Sequence, residues 1–251
     1  ELGGADLKKL QSVPLTALLP AVSRAVGSGA MRAWGPIVDG RALPAHPFDP
    51  AAPAVSASVP LLIGTCLNEQ VNGTDNPERD SLTADQLASR VQERHGAKAG
   101  DIIAAYRREY PKESPFGLWA AISAATARQN SITQAERKAA QGGGAAYMYL
   151  YAWRTPVLGG KIGTFHSSEI AFVFDNANLC THYSGGGPEA LALSSKMGAA
   201  WASLARTGKP GHAGLPAWPA YDTKTRATMV FDNVCAIKND PEGAALRLLR
   251  A

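Results

Sequence analysis

Cysteine is scarce in this chain of 251 residues, which contains only three. Cys66, Cys180 and Cys235 are too few for the disulfide framework of a small secreted scaffold, and their spacing does not resemble a metal site. No uninterrupted apolar run approaches the roughly 20 residues of a membrane-spanning helix, so we expect no membrane span. The net charge is only +4, and Lys and Arg form no block or stripe, which argues against a nucleic-acid partner.

Several motifs of common active sites are also missing from the sequence. It has no His-Glu-x-x-His segment and no P-loop, so we expect neither a metal nor another cofactor. No serine has glycine two residues away on both sides, so the Gly-x-Ser-x-Gly turn of a serine hydrolase is absent from these residues. The chain begins at Glu1 without a signal-like segment. We therefore expect that processing removed a segment or that these residues belong to a longer polypeptide, and the compartment stays open between secreted, periplasmic and others.

The hydrophobic pattern predicts an α/β fold with a mostly parallel sheet. Two or three strong strands are too few for a self-contained sheet of usual size, so we expect upstream chain to complete it. A long connection with a small hairpin is predicted for residues 28–58. The remaining predictions are strands at 59–65, 146–153 and 227–231, a helical segment at 4–27 that breaks at Pro14, and helices at 84–95, 100–109, 117–141 and 189–207.

Two residues that follow predicted strands are candidates for general acid–base chemistry. His166 lies beyond a strand and a Gly-rich loop, where α/β enzymes often place a base, and Glu69 lies four residues beyond residue 65. A carboxylate there could orient a histidine ring, although a solvated loop glutamate is the more common outcome. Asp75 and Asp80 are weaker candidates for the acid, and Glu169 could instead contact His166 locally or be structural.

Several segments, in their order along the chain, resemble the type B carboxylesterase family, the cholinesterase-like esterases of the α/β-hydrolase superfamily. They cover nearly the whole chain and include the Asn68-Glu69 pair and the His-x-x-Glu pattern at His166 and Glu169. The segments are WGPIVDGRALP at 34–44, VPLLIGT at 59–65, PVLGGKIGTFHSSEIAFVF at 156–174, WASLARTGKP at 201–210, LPAWPAYD at 215–222 and RATMVFD at 226–232.

The resemblance implies the C-terminal half of an α/β-hydrolase domain over 1–251, with 82–141 as a helical insertion that shapes the pocket. It implies ester hydrolysis by a Ser-Glu-His triad, in which Glu69 is the acid, His166 is the base and Glu169 supports them. The serine and the oxyanion hole would lie on an N-terminal part, and the substrate would be a small-molecule ester. Gln70 departs from the family's usual glycine after the acid. The alternative is a non-catalytic binding or adhesion module on the same fold.

Overall fold

The computed structural model describes residues 6–26, 35–69 and 76–250 of the chain. The chain divides into two compact units, Glu1–Asp49 and Pro50–Ala251. The residues that carry the predicted chemistry all belong to the second unit.

The first unit begins with two short helices, α1 at Leu7–Ser12 and α2 at Leu15–Val26. The Asp6 side chain caps α1 by accepting a hydrogen bond from the Lys8 backbone N–H. The break between the helices falls at Pro14, as predicted, because a proline ring has no N–H to donate within a helix.

The hairpin predicted for the connection at 28–58 is wrong in the part that the structure describes. Residues 35–58 form turns, bends and one short 3-10 helix at Ala54–Ser56, with no strand among them. Five prolines between positions 36 and 53 remove backbone donors that a two-stranded ladder would need. Residues 28–34 of this connection, including Trp34, lie outside the described residues.

The described sheet of the second unit has four strands in the order β1-β2-β3-β4. Strands β1 (Leu61–Cys66), β2 (Ala146–Tyr151) and β3 (Ala227–Phe231) run parallel, whereas β4 (Ala236–Asn239) is antiparallel to β3. The three predicted strands are confirmed with small shifts of their ends. The sequence pattern missed β4 because this strand is short and half exposed, so it lacks a continuous apolar run.

Strand β2 shows why the sequences of the parallel strands are apolar almost throughout. Its tyrosines Tyr147, Tyr149 and Tyr151 all pack in one core cluster, whereas Met148 and Leu150 pack on the opposite face. Both faces of the strand are therefore covered, as is usual in a parallel sheet.

Helices cover both faces of the sheet. The helices at 84–95, 100–109, 117–141 and 189–207 are confirmed within two residues at each end, and the Thr83 cap forms a full capping box with Gln86. The helix bounds in the second unit are α3 Glu78–Ser81, α4 Ala84–His95, α5 Ala99–Glu109, α6 Pro115–Gln141, α7 Ile170–Val173, α8 Thr181–Ser184, α9 Pro188–Thr207 and α10 Gly243–Arg250.

The layers give the second unit an α/β architecture. Met197 and Ala200 of α9 belong to the same core cluster as the β2 tyrosines, while α6 contacts β1 and β2. Helix α6 also carries Arg128, whose guanidinium lies 3.6 Å from the buried carboxylate of Glu242. The fold class predicted from the sequence is confirmed.

Candidate active site

Two loops leave the carboxyl ends of neighbouring parallel strands and meet at one edge of the sheet. The first follows β1 and carries Glu69, and the second follows β2 and carries His166. Because β1 and β2 pair in register, the loops start side by side although 97 residues separate the two side chains in sequence. In open α/β sheets, this edge is where ligands bind.

The structure brings the two predicted residues into direct contact. Nδ1 of His166 lies 2.5 Å from Oε2 of Glu69. The Glu69 side chain is 11% exposed and the His166 side chain is 62% exposed. A mostly buried carboxylate therefore supports an imidazole that solvent can reach, which is the arrangement of an acid–base pair.

The end of β1 fixes the orientation of Glu69. The backbone N–H of Cys66 donates to Oε1 of Glu69 over 2.7 Å, so both carboxylate oxygens have a partner. An ionised carboxylate accepts hydrogen bonds and donates none, and both partners are well placed for that role.

The loop that carries His166 is attached to the neighbouring loop that carries Glu69. Asn68 Nδ2 donates to the Thr164 carbonyl over 2.9 Å, and the buried Thr164 hydroxyl donates to the Trp153 carbonyl over 2.9 Å. Ser167, directly after the histidine, has φ = 68°, a left-handed backbone conformation that residues other than glycine rarely adopt. Backbone of this kind persists when the surroundings enforce it, and it is frequent at active sites.

Glu169, the third predicted residue, lies against the thiol of Cys66. Cys66 Sγ donates to Oε2 of Glu169 over 2.8 Å, and the Ser168 hydroxyl lies 3.8 Å from the same sulfur. Burial raises the pKa of the Cys66 thiol, and the neighbouring Glu169 charge raises it further, so the thiol stays protonated. In the sequence, Cys66 stood only among three cysteines whose spacing does not resemble a metal site.

The weaker candidates for the acid lie elsewhere. Asp80 follows the start of α3 and forms an ion pair with Lys161 at 2.7 Å. Asp75 and Gln70 lie outside the described residues. Glu69 is therefore the candidate acid that the structure places on the His166 ring.

The other histidines lie outside this contact. His46 is exposed in a turn, and His182 is exposed with its ring against Tyr183. His212 is half buried, and its Nε2 lies 3.0 Å from the Lys196 carbonyl. His95 lies at the end of α4, and burial lowers its pKa and so favours the neutral ring.

Two clefts adjoin the residues of the site. One of about 200 Å³ lies between the start of α6 and the site loops, where Asn68, Phe116 and Ile162 contribute to its wall. The other, of about 890 Å³, runs between α7 and α9 and reaches Glu169; apolar side chains such as Phe174 line most of it.

The described residues contain no group of three His, Cys, Asp or Glu side chains that could hold a metal ion. No helix in the described part of the chain is both long and apolar enough to cross a bilayer.

Comparison with known families decides how the chain is classified. The model of the carboxylesterase family matches residues 4–248, almost the whole chain. The chain belongs to the carboxylesterase family. Its resemblance to that family, stated above from the segments around 34–44, 156–174 and 201–232, is thereby confirmed.

Individual carboxylesterases show the same relationship. The para-nitrobenzyl esterase of Bacillus subtilis is 27% identical over 214 residues, which are 82% of this chain and 41% of that protein. The phenmedipham hydrolase of Pseudarthrobacter oxydans is 25% identical over 230 residues, which are 86% of this chain and 45% of that protein. The chain therefore spans less than half the length of these relatives.

Solved structures confirm the α/β-hydrolase fold. The Geobacillus stearothermophilus carboxylesterase superposes with a TM-score of 0.71 at 31% identity, covering 97% of this chain and 50% of that chain. A Clostridium hathewayi esterase that can hydrolyse aliphatic aromatic polyesters gives a TM-score of 0.74 at 25% identity, with 99% of this chain and 50% of that chain covered.

Proposed function

We propose that this chain supplies the acid and the base of a serine carboxylic ester hydrolase. In this proposal Glu69 is the acid and His166 is the base of a Ser-Glu-His triad. The contact of 2.5 Å between Nδ1 of His166 and Oε2 of Glu69 carries the proposal, because a triad requires this hydrogen bond at this ring nitrogen. Membership of the carboxylesterase family supports the reaction class.

The nucleophilic serine and the oxyanion hole are proposed to lie on an N-terminal part of the same esterase. None of the 251 residues forms a Gly-x-Ser-x-Gly turn, and the chain spans about half of the carboxylesterases that it superposes on. In α/β-hydrolases the nucleophile precedes the acid, which precedes the histidine. We propose that this part also adds strands beside β1, which is one of the two edge strands of the sheet that the structure describes.

The proposed mechanism follows from the two nitrogens of the histidine ring. With Nδ1–H donating to Glu69, Nε2 takes the serine proton while the serine oxygen attacks the ester carbonyl. The imidazolium then protonates the departing alcohol, which leaves an acyl-enzyme. A water molecule, deprotonated by His166, attacks the acyl-enzyme, and the carboxylic acid product is released as the serine regains its proton. Glu69 holds the ring in the required tautomer and stabilises its positive charge at both steps.

The helical segment 82–141 is proposed to shape the substrate pocket for a small-molecule ester. The start of α6 supports this proposal, because Phe116 lies in the wall of the cleft that also contains Asn68, the neighbour of Glu69. Most enzyme pockets combine such apolar walls with a few polar groups.

Labelling of the full-length protein with a fluorophosphonate probe, read by intact mass, tests the proposal. The probe forms a covalent bond with a serine that a triad activates, so we expect one added label on the part that carries the serine. The His166→Ala variant is expected to lose labelling and to lower kcat by about a thousandfold or more.

The His46→Ala variant is the matched control, because His46 is exposed in a turn of the first unit. It is expected to label and to turn over esters like the unmodified protein. Absence of any label on the full-length protein would favour a non-catalytic binding or adhesion module, and near-normal hydrolysis by His166→Ala would remove His166 from the mechanism.

A further inference from the structure

We propose that Cys66 is a positioning residue that holds the acid loop and the histidine loop together. The backbone N–H of this residue binds Glu69, and its thiol binds Glu169. The inference rests on the function proposed above, because the geometry that it maintains is that of the Glu69–His166 pair.

One residue at the end of β1 contacts both carboxylates of the site. Its N–H donates to Oε1 of Glu69 over 2.7 Å, and Sγ donates to Oε2 of Glu169 over 2.8 Å. Glu169 lies three residues after His166 and directly before α7, so its carboxylate ties the histidine loop to the strand that precedes the acid. Cys66 is only 1% exposed, so no substrate group touches it.

The chemical state of the thiol suits a structural donor. Burial keeps the proton on sulfur, as described above, so the group can donate to a carboxylate and does not act as a nucleophile. A hydrogen bond to a charged acceptor is stronger than one between neutral groups. Without the thiol proton, the Glu169 carboxylate would lose this donor, and the histidine loop would lose a fixed point next to the acid.

The expected consequence is a change in catalytic geometry without a change in substrate binding. A small displacement of the His166 ring from Glu69 affects proton transfer to and from the serine. We therefore expect kcat to fall and KM to stay nearly constant when the thiol is removed. A residue with only a general structural role would instead lower the amount of folded enzyme and leave kcat per active site unchanged.

The test compares Cys66→Ala with Cys66→Ser in the full-length protein, with active sites counted by fluorophosphonate labelling. A displacement of reacting groups by about 1 Å can lower the reaction rate about a hundredfold. We expect a smaller displacement of the His166 ring in Cys66→Ala, and therefore a fall in kcat of about tenfold. Cys66→Ser keeps a donor at this position, and a small rotation of the side chain brings the shorter C–O–H group to the Glu169 carboxylate. Because the hydrogen bond to Glu169 is kept, the kcat of Cys66→Ser is expected to stay within about twofold of that of the unmodified protein.

A double-mutant cycle provides the second measurement. If Cys66 acts through Glu169, then Cys66→Ala adds no further loss of kcat to a Glu169→Ala background. Cys235→Ala is the matched control, because that thiol is half buried and lies 3.7 Å from the Asp232 carbonyl, and it is expected to leave kcat unchanged. Should Cys66→Ala fold poorly, Cys66→Val removes the donor while filling the site.

The outcomes separate this inference from the proposed function. Normal turnover by Cys66→Ala, or an equal loss of kcat in the Ala and Ser variants, would overturn the positioning role while labelling of the unmodified protein still supported the esterase. Absence of labelling and turnover in the unmodified protein would overturn the proposed function and this inference with it.

Discussion

The imidazole of His166 and the carboxylate of Glu69 are in contact at 2.5 Å although 97 residues separate them along the chain. The intervening segment contains the long helices α4, α5 and α6 and the whole of β2. The pairing of β1 with β2 therefore brings the two side chains together. A substitution of either side chain and a substitution that disturbs the strand pairing are expected to have separate, measurable effects on activity and on stability.

Replacing the proposed acid by its amide is expected to reduce catalysis while leaving the fold intact. Glu69→Gln keeps the side-chain shape but removes the charge that stabilises the imidazolium and favours the wrong ring tautomer. We expect kcat to fall by about a hundredfold to ten-thousandfold, as for a triad acid. Steady-state kinetics of ester hydrolysis measure this fall in kcat.

Glu109→Gln is the control for this change, because Glu109 lies at the end of α5 and its only salt bridge among those described is to Lys238, at 4.0 Å. Its kcat is expected to be unchanged. Equal kcat values for Glu69→Gln and the unmodified protein would show that the carboxylate is not the triad acid.

Gly64 is expected to be essential for close pairing of β1 with β2. It pairs directly with Tyr149, and a Cβ at this position would overlap the Tyr149 carbonyl oxygen and ring. Gly64→Ala should therefore lower the free energy of unfolding by about 1–3 kcal/mol. Urea denaturation measures the change.

Gly100→Ala serves as the contrasting variant, because a Cβ there meets open space in helix α5. Since alanine is the better helix former, we expect a gain of up to about 1 kcal/mol. Similar losses in both variants would contradict the argument from the contact with Tyr149.

The capping box of α4 gives a prediction for local stability. The Thr83 hydroxyl accepts from the Gln86 N–H at 3.2 Å, and the Gln86 side chain accepts from the Thr83 N–H at 2.9 Å. Thr83→Ala removes one of these bonds, so we expect a loss of about 1 kcal/mol. Ser89→Ala, on the same helix, is the control and should cost nothing; a loss as large as that of Thr83→Ala would exclude the cap as the cause.

The buried carboxylate of Glu242 predicts how stability depends on pH. Burial raises the pKa of Glu242 above 4.5, although the charge of Arg128 and a hydrogen bond from Tyr110 oppose this shift. A group whose pKa is higher in the folded state stabilises the protein below its unfolded pKa, and this contribution is lost as the pH rises through the folded pKa.

We therefore compare the unmodified protein with Glu242→Gln, which cannot ionise. The difference in unfolding free energy between them should shift in favour of the Gln variant as the pH rises above 4.5 and through the raised pKa of Glu242. Denaturation curves at several pH values measure this difference. A difference that moved the other way would mean that the Arg128 charge outweighs burial.

Much of the local structure could be predicted from the sequence, because short-range physics determines it. The break at Pro14 and the apolar run at 59–65 each mark an element within a few residues of its observed end. The hairpin expected in 28–58 was wrong where it is described, since glycine and proline mark turns without indicating whether flanking residues pair. Strand β4 was missed because its residues are half exposed and lack a distinctive pattern.

The sequence by itself determined the residue types of the candidate site and the class of fold, since the motifs at Glu69 and His166 and the alternation of strands with helices are visible without coordinates. Tertiary structure alone decided which carboxylate contacts the histidine and which contacts the thiol. Glu169 is three residues from His166 in sequence, yet Glu69, 97 residues away, has its carboxylate on the ring, and Glu169 binds Cys66. The reason is that the register of β1 against β2 sets where the two loops start, and this long-range pairing cannot be derived from local sequence.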